Sequence, residues 1–178
     1  MKPIILLVPA VIAGWLLFTF PLAASEETTP ALMLHKKKQT ISFCTDHYSI
    51  STHESISLYG AKDRKWLTEN LYWGEAGYGA IGGIRSGYIE GGIIAGYQSI
   101  LVQPFIYDLR LFFGAGGGGG APQGGGMIIE PTLGLGLYIN PALSFIVELG
   151  YMHFINGNIS SPSIGFSLNL DYWGLQSE

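Results

Sequence analysis

The chain has 178 residues, of which 26 are Gly, 48% are hydrophobic and only 12% are charged. An average domain carries about 7% Gly and about 25% charged residues, so glycine is roughly doubled here and charge halved. A net charge of −4 without a basic stripe argues against a nucleic-acid partner, the glycines keep no collagen period, and one Cys cannot make an internal disulfide.

Lys2 is followed by the uncharged, mostly apolar run Pro3–Phe20 and then by Pro21-Leu22-Ala23-Ala24-Ser25. A positive start, an apolar stretch and small residues at the cut predict a cleavable secretory signal over residues 1–25. The run is nearly long enough for an uncleaved membrane anchor, but Pro9 and Gly14 interrupt it. Residues 26–40 are polar, with a basic cluster at His35, Lys36, Lys37 and Lys38, and read as a lead-in. Residues 41–178 read as one β domain.

About eight strands are expected there. The first two, near Ile41–Ser49 and Glu54–Gly60, alternate poorly, and Ala61–Asn70 reads as a long charged connection. Next, Tyr72, Ala76, Tyr78 and Ala80 oppose Glu75, Gly77 and Gly79, and Ile89, Ile93, Ala95 and Tyr97 oppose Glu90, Gly92 and Gln98. Phe105 to Phe113 sets apolar residues against Asp108 and Arg110. From Met127 to Ile139 every second residue is apolar or Pro, opposed by small or polar residues and Ile128 and Tyr138. Leu143–Tyr151 and Ile164–Tyr172 repeat the pattern. Period-two alternation over such lengths predicts strands with one apolar face.

That pattern suits a soluble sandwich or a transmembrane barrel. Segments of about 10 to 13 residues match a bilayer-spanning strand. Aromatics such as Tyr72, Trp73, Tyr138, Tyr151, Phe154, Tyr172 and Trp173 gather near segment ends, as interfacial girdles do. Between Leu71 and Glu178 the only Lys or Arg residues are Arg85 and Arg110. The expected fold is therefore an all-β, antiparallel transmembrane barrel of about eight strands, located in a bacterial outer membrane. A soluble periplasmic β-sandwich or lipocalin-like binder is the competing architecture.

The barrel interior is then expected to hold a polar network of Glu75, Glu90, Asp108, Glu130, Glu148 and Asp171, with Arg110 as the one inward cation. Gly114–Gly126 reads as an outer loop rather than a phosphate cradle, because no Gly-Lys-Ser/Thr follows. Gly116, Gly118 and Gly120, with Asn156 of a second loop, are candidate ligand contacts. His35, His47 and His53 offer no metal-ligand spacing, and no cofactor is expected.

The stretch Tyr151-Met152-His153-Phe154-Ile155-Asn156-Gly157, with Pro162 and Gly165 downstream, resembles the PagL-type lipid A deacylases. Their motif runs His-x-Ser-Asn followed by a Pro and a Gly; His153, Asn156, Pro162 and Gly165 match it. The resemblance implies an eight-stranded outer-membrane barrel. Ile155 stands at the nucleophile position and cannot attack an ester, and no acid stands at the family's acid position, so it argues against the activity. Ser160 or Ser161 could substitute from the loop. The sequence thus predicts a small outer-membrane barrel with a structural or surface-interaction role and no evident catalytic centre. Its expected partners are outer-membrane lipids, including lipopolysaccharide, and the barrel assembly machinery, with the oligomeric state open. The alternative is a deacylase-like esterase using His153 as its catalytic residue.

Overall fold

A computed structural model describes residues 34–51, 53–81, 84–122 and 124–177. The export signal expected over residues 1–25, and the lead-in as far as residue 33, lie outside the described residues. The strands are β1 (Leu34–Ser51), β2 (Glu54–Trp66), β3 (Leu71–Ala80), β4 (Ile89–Val102), β5 (Phe105–Gly117), β6 (Met127–Asn140), β7 (Leu143–Ile155) and β8 (Ser160–Ser177). Each pairs antiparallel with the next, and β1 closes on β8, making one continuous barrel. Closure leaves no unpaired edge and overturns the alternative of a two-sheet sandwich.

Two expectations near the start are corrected. The barrel begins at Leu34 rather than Ile41, since Lys36, Lys37 and Lys38 pair with Leu175, Gly174 and Trp173 of β8. Polar residues at a barrel's rim carry no apolar period, so they look like a tail. The supposed connection Ala61–Asn70 is mostly strand: β2 runs to Trp66, and only Leu67–Asn70 turns. Its charges Lys62 and Arg64 are buried inside the barrel, so Arg110 is not the one inward cation.

One end of the barrel carries the compact turns Leu67–Asn70, Gln103-Pro104 and Pro141-Ala142. The opposite end carries the connections between β3 and β4, β5 and β6, and β7 and β8, and the junction between β1 and β2. Gly114–Gly117 belongs to β5, so the glycine loop is shorter than expected.

The two faces of the wall are inverted relative to a soluble domain. Leu109, Leu111 and Phe113 of β5, Leu133, Leu135 and Leu137 of β6, and Ile164, Phe166 and Leu168 of β8 all face outward and exposed. Glu90, Asp108, Arg110, Glu130 and Glu148 are buried. Strand β3 shows the opposite parity from the one expected: Tyr72, Ala76 and Tyr78 are buried, and Glu75 lies on the outer wall. Tyrosine has an apolar body with a polar tip, so its ring can fill a lumen while its hydroxyl joins the network. Tyr72 and Phe154, expected in the interfacial girdle, therefore point inward. Trp73, Tyr97, Tyr107 and Tyr172 do occupy the outer wall toward the turn end, with the Tyr97 and Tyr107 rings 6.1 Å apart.

Glycine inside the barrel makes room for these rings. At Gly96 a Cβ would meet the Tyr72 hydroxyl, and Leu109 O at 2.7 Å. Only a bare backbone lets Tyr72 cross the lumen at that height.

Candidate functional site

Polar side-chain clusters stack along the lumen. At mid-height Glu148 on β7 receives Lys62 Nζ from β2 at 2.6 Å and both terminal nitrogens of Arg110 from β5, at 2.9 and 2.7 Å. The Ser167 hydroxyl from β8 also donates to Glu148, and Lys62 donates to Ser167 at 2.7 Å. Four strands are thus tied across the barrel through one carboxylate. A bidentate Arg–carboxylate pair with its remaining lone pairs occupied offsets much of the cost of burying charge.

Toward the turn end, the Tyr72 hydroxyl donates to Asp108 at 2.8 Å, and Arg64 donates to Gln98 at 3.0 Å while lying 5.1 Å above the Tyr72 ring. At the rim, Trp66 Nε1 donates to Thr40, Thr40 donates to Asp171, and Lys38 reaches Asp171 at 2.8 Å. Toward the loop end, the Tyr88 hydroxyl donates to Glu90 Oε2 at 3.0 Å, with the Tyr48 hydroxyl 3.1 Å from both. Ser163 donates to Glu130.

Of the expected network, Glu90, Asp108, Arg110, Glu130 and Glu148 are buried in the lumen and Asp171 closes its rim. Glu75 is not part of it. Lys62, Arg64 and Asp46 are, and sequence reading missed them because β1 and β2 lack an apolar outer face that would reveal their parity. These side chains occupy the lumen where a conduit or a lipocalin-like cavity would run. A depression of about 850 Å³ lies on the outer wall, where Trp73, Ala95, Leu111, Pro131 and Tyr151 line it. Among the described residues no cluster of three or more His, Cys, Asp or Glu could hold a metal.

At the loop end, Arg85 ties three segments together. It makes a two-pronged pair with Glu54 at 2.7 and 2.9 Å, and its guanidinium also reaches the carbonyls of Gly119 and Gly120. Gly119 sits at φ 57° against the Arg85 backbone, a conformation that costs a side-chain-bearing residue free energy. Gly118 and Gly120 belong to this packed loop. Gly116 instead lies near the loop end of β5 and donates its N–H to Gly126 O at 2.8 Å. Asn156 opens the β7–β8 loop at φ 58°.

His153 faces outward near the loop end, its Nδ1 2.7 Å from Ser160 Oγ directly across the β7–β8 ladder. His47 Nδ1 and Ser57 Oγ stand 2.9 Å apart in the same arrangement across β1–β2. Both are cross-strand neighbours on one face, a pairing that stabilises sheets irrespective of chemistry. His153 has no carboxylate hydrogen-bonded to it among the described residues.

No family model and no curated protein matches this chain. Among solved structures, it is similar to a de novo designed transmembrane β-barrel, with TM-score 0.54 at 9% identity over 79% of this chain and 100% of the design. It is similar to Neisserial surface protein A, with TM-score 0.50 at 13% identity over 76% of this chain and 95% of that one. It also resembles Ail, the attachment invasion locus protein of Yersinia pestis, in complex with the heparin analogue sucrose octasulfate. That match has TM-score 0.51 at 9% identity over 79% of this chain and 100% of Ail. At such identities the likeness concerns the fold: the chain is a small, closed, eight-stranded antiparallel barrel of the kind found in bacterial outer-membrane proteins.

Proposed function

We propose that the protein is an integral outer-membrane barrel that works at the cell surface as a structural and interaction module through its loop end. The observation that carries this reading is the inverted wall: apolar side chains outside, a packed charged plug inside. Such a wall is stable in lipid and costly in water. With an even strand number, the short turns and both barrel ends of the chain face the periplasm, and the longer loops face outward. Lipopolysaccharide then surrounds the loop end, phospholipid surrounds the turn end, and the barrel assembly machinery inserts the chain.

The interaction surface differs in charge from one built for a polyanion. Arg85 is the only Lys or Arg in the loops, and Glu54 already neutralises it. Exposed Ile81 and Ile84 give the loop end an apolar contact instead. An epitope inserted after Ala121 tests the orientation: antibody labels intact cells if the loops face outward, and labels only lysed cells if the reading is wrong.

A second reading rests on the 2.7 Å contact between His153 and Ser160. There Ser160 would attack a lipid ester with His153 as base, at the height of the outer leaflet. The matching His47–Ser57 pair favours the non-catalytic interpretation. Mass spectrometry of lipid A from cells with and without the protein separates the two: an unchanged acyl pattern supports the interaction module, and a lost acyl chain that Ser160→Ala restores supports the esterase.

A further inference from the structure

The outer wall is not uniform. Strands β4 to β8 present mostly apolar side chains outward, whereas on β1 to β3 the outward Phe43, Tyr59, Leu71 and Trp73 are interrupted by charged and small residues. Glu75 lies in the middle of β3, directly opposite Asp63 of β2. Neither carboxylate is in an ion pair among the described residues, and Asp63 Oδ1 is buried without a hydrogen-bond partner. Like charges directly opposite on neighbouring strands repel, and charges on a lipid-facing wall are destabilising in proportion to depth. Lys65, two residues along the same face of β2, rests its ammonium 5.1 Å above the Trp73 ring.

The next row across the ladder is flat: Ala61 faces Gly77, Gly77 faces Gly91, and Gly91 faces Ala115. A Cβ at Gly77 would meet nothing nearer than 4.0 Å, and one at Gly91 nothing nearer than 3.4 Å. The barrel's own packing therefore does not require glycine at either site, in contrast to lumen-facing Gly92, where a Cβ would abut the Phe113 and Gly114 backbone.

We propose that the wall centred on β2 and β3 is a lateral interface between two copies of this chain. The proposal rests on the outer-membrane reading. Two copies inserted in the same sense share the membrane normal, so a twofold axis along it sets equal heights of the same wall against each other. Two residues along a strand rise about 7 Å, and less when the strand is tilted, a distance the lysine stem covers. Lys65 of each copy reaches the Asp63–Glu75 pair of the other, so symmetry supplies two sets of ion pairs. The flat Ala61–Gly77–Gly91 row allows close approach, as small residues do between membrane helices. A foreign protein would have to bring the cation this wall already carries.

The test uses membranes in which the wild-type barrel has first been shown to resist alkaline extraction, so that loss of the outer-membrane reading is recognised separately. In a Cys44→Ala background, Ala61→Cys is oxidised in those membranes alongside Leu135→Cys on the opposite wall, with Gly77→Cys as a second probe. The proposal expects a product of twice the chain mass from Ala61→Cys or Gly77→Cys and none from Leu135→Cys. Adding Lys65→Glu lowers the yield about tenfold, as loss of two symmetry-related ion-pair sets implies. Co-expression with a copy carrying Asp63→Lys and Glu75→Lys restores it. Monomer alone, equal product at both walls, or a product of another mass overturns the proposal.

Discussion

Glu148 is the residue on which the barrel interior depends most. Two cations from different strands converge on it, and all three groups are buried. Glu148→Ala would leave Lys62 and Arg110 charged, buried and facing each other. Removing one partner of such a set costs about 3–5 kcal/mol, and a urea titration of the folded barrel in detergent should show that loss. Asp171→Asn at the partly buried rim should cost about 1 kcal/mol in the same titration, less than Glu148→Ala, since solvent reaches Lys38 and Asn can still accept from Thr40. Glycines split in the same way. Gly92→Ala drives a Cβ into the backbone of β5 and should cost about 1–3 kcal/mol, whereas Gly77→Ala should leave the monomer's unfolding midpoint unchanged or slightly raised. Which glycines are indispensable could not be read from composition, because an inward and an outward glycine are the same letter.

Among the elements, β4 to β8 were legible in the sequence, whereas β1 and β2 were marked only in part and β3 with its faces reversed, for a physical reason. A strand announces itself when one face is solely apolar, as the outward faces of β4 to β8 nearly are. Asp63, Lys65 and Glu75 break the apolar face on β2 and β3, and Lys62 and Arg64 fill the lumen face of β2, so both faces look solvated. The loops were legible in place but not in contact. Sequence marked Gly118 and Gly120 as loop residues, yet nothing in it showed that Arg85 would hold their segment against Glu54. Arg85→Ala should speed amide exchange in Ile81–Tyr88 and Gly118–Gly126 while leaving the strands protected. Equal exchange in variant and wild type would show that the clamp does not order the loops.

For the whole molecule, length and topology limit what the barrel can do. Eight strands give an interior just wide enough for side chains to fill, and here Tyr72, Tyr78, Arg110 and Glu148 fill it. Purified protein in planar bilayers should therefore show no steady ion conductance, and open-channel steps would contradict the plugged lumen. The opening imbalance of glycine and charge has the same origin. All glycines but Gly14 and Gly60 fall between Gly74 and Gly174; those described line a narrow lumen, flatten one wall or lie in the loops, and the proposed lipid-facing wall would account for the scarcity of Lys and Arg. Membrane fractionation with alkaline carbonate tests the central claim most directly. The account predicts that the mature protein stays in the outer-membrane pellet and dissolves only in detergent; recovery in the soluble periplasmic fraction would contradict it.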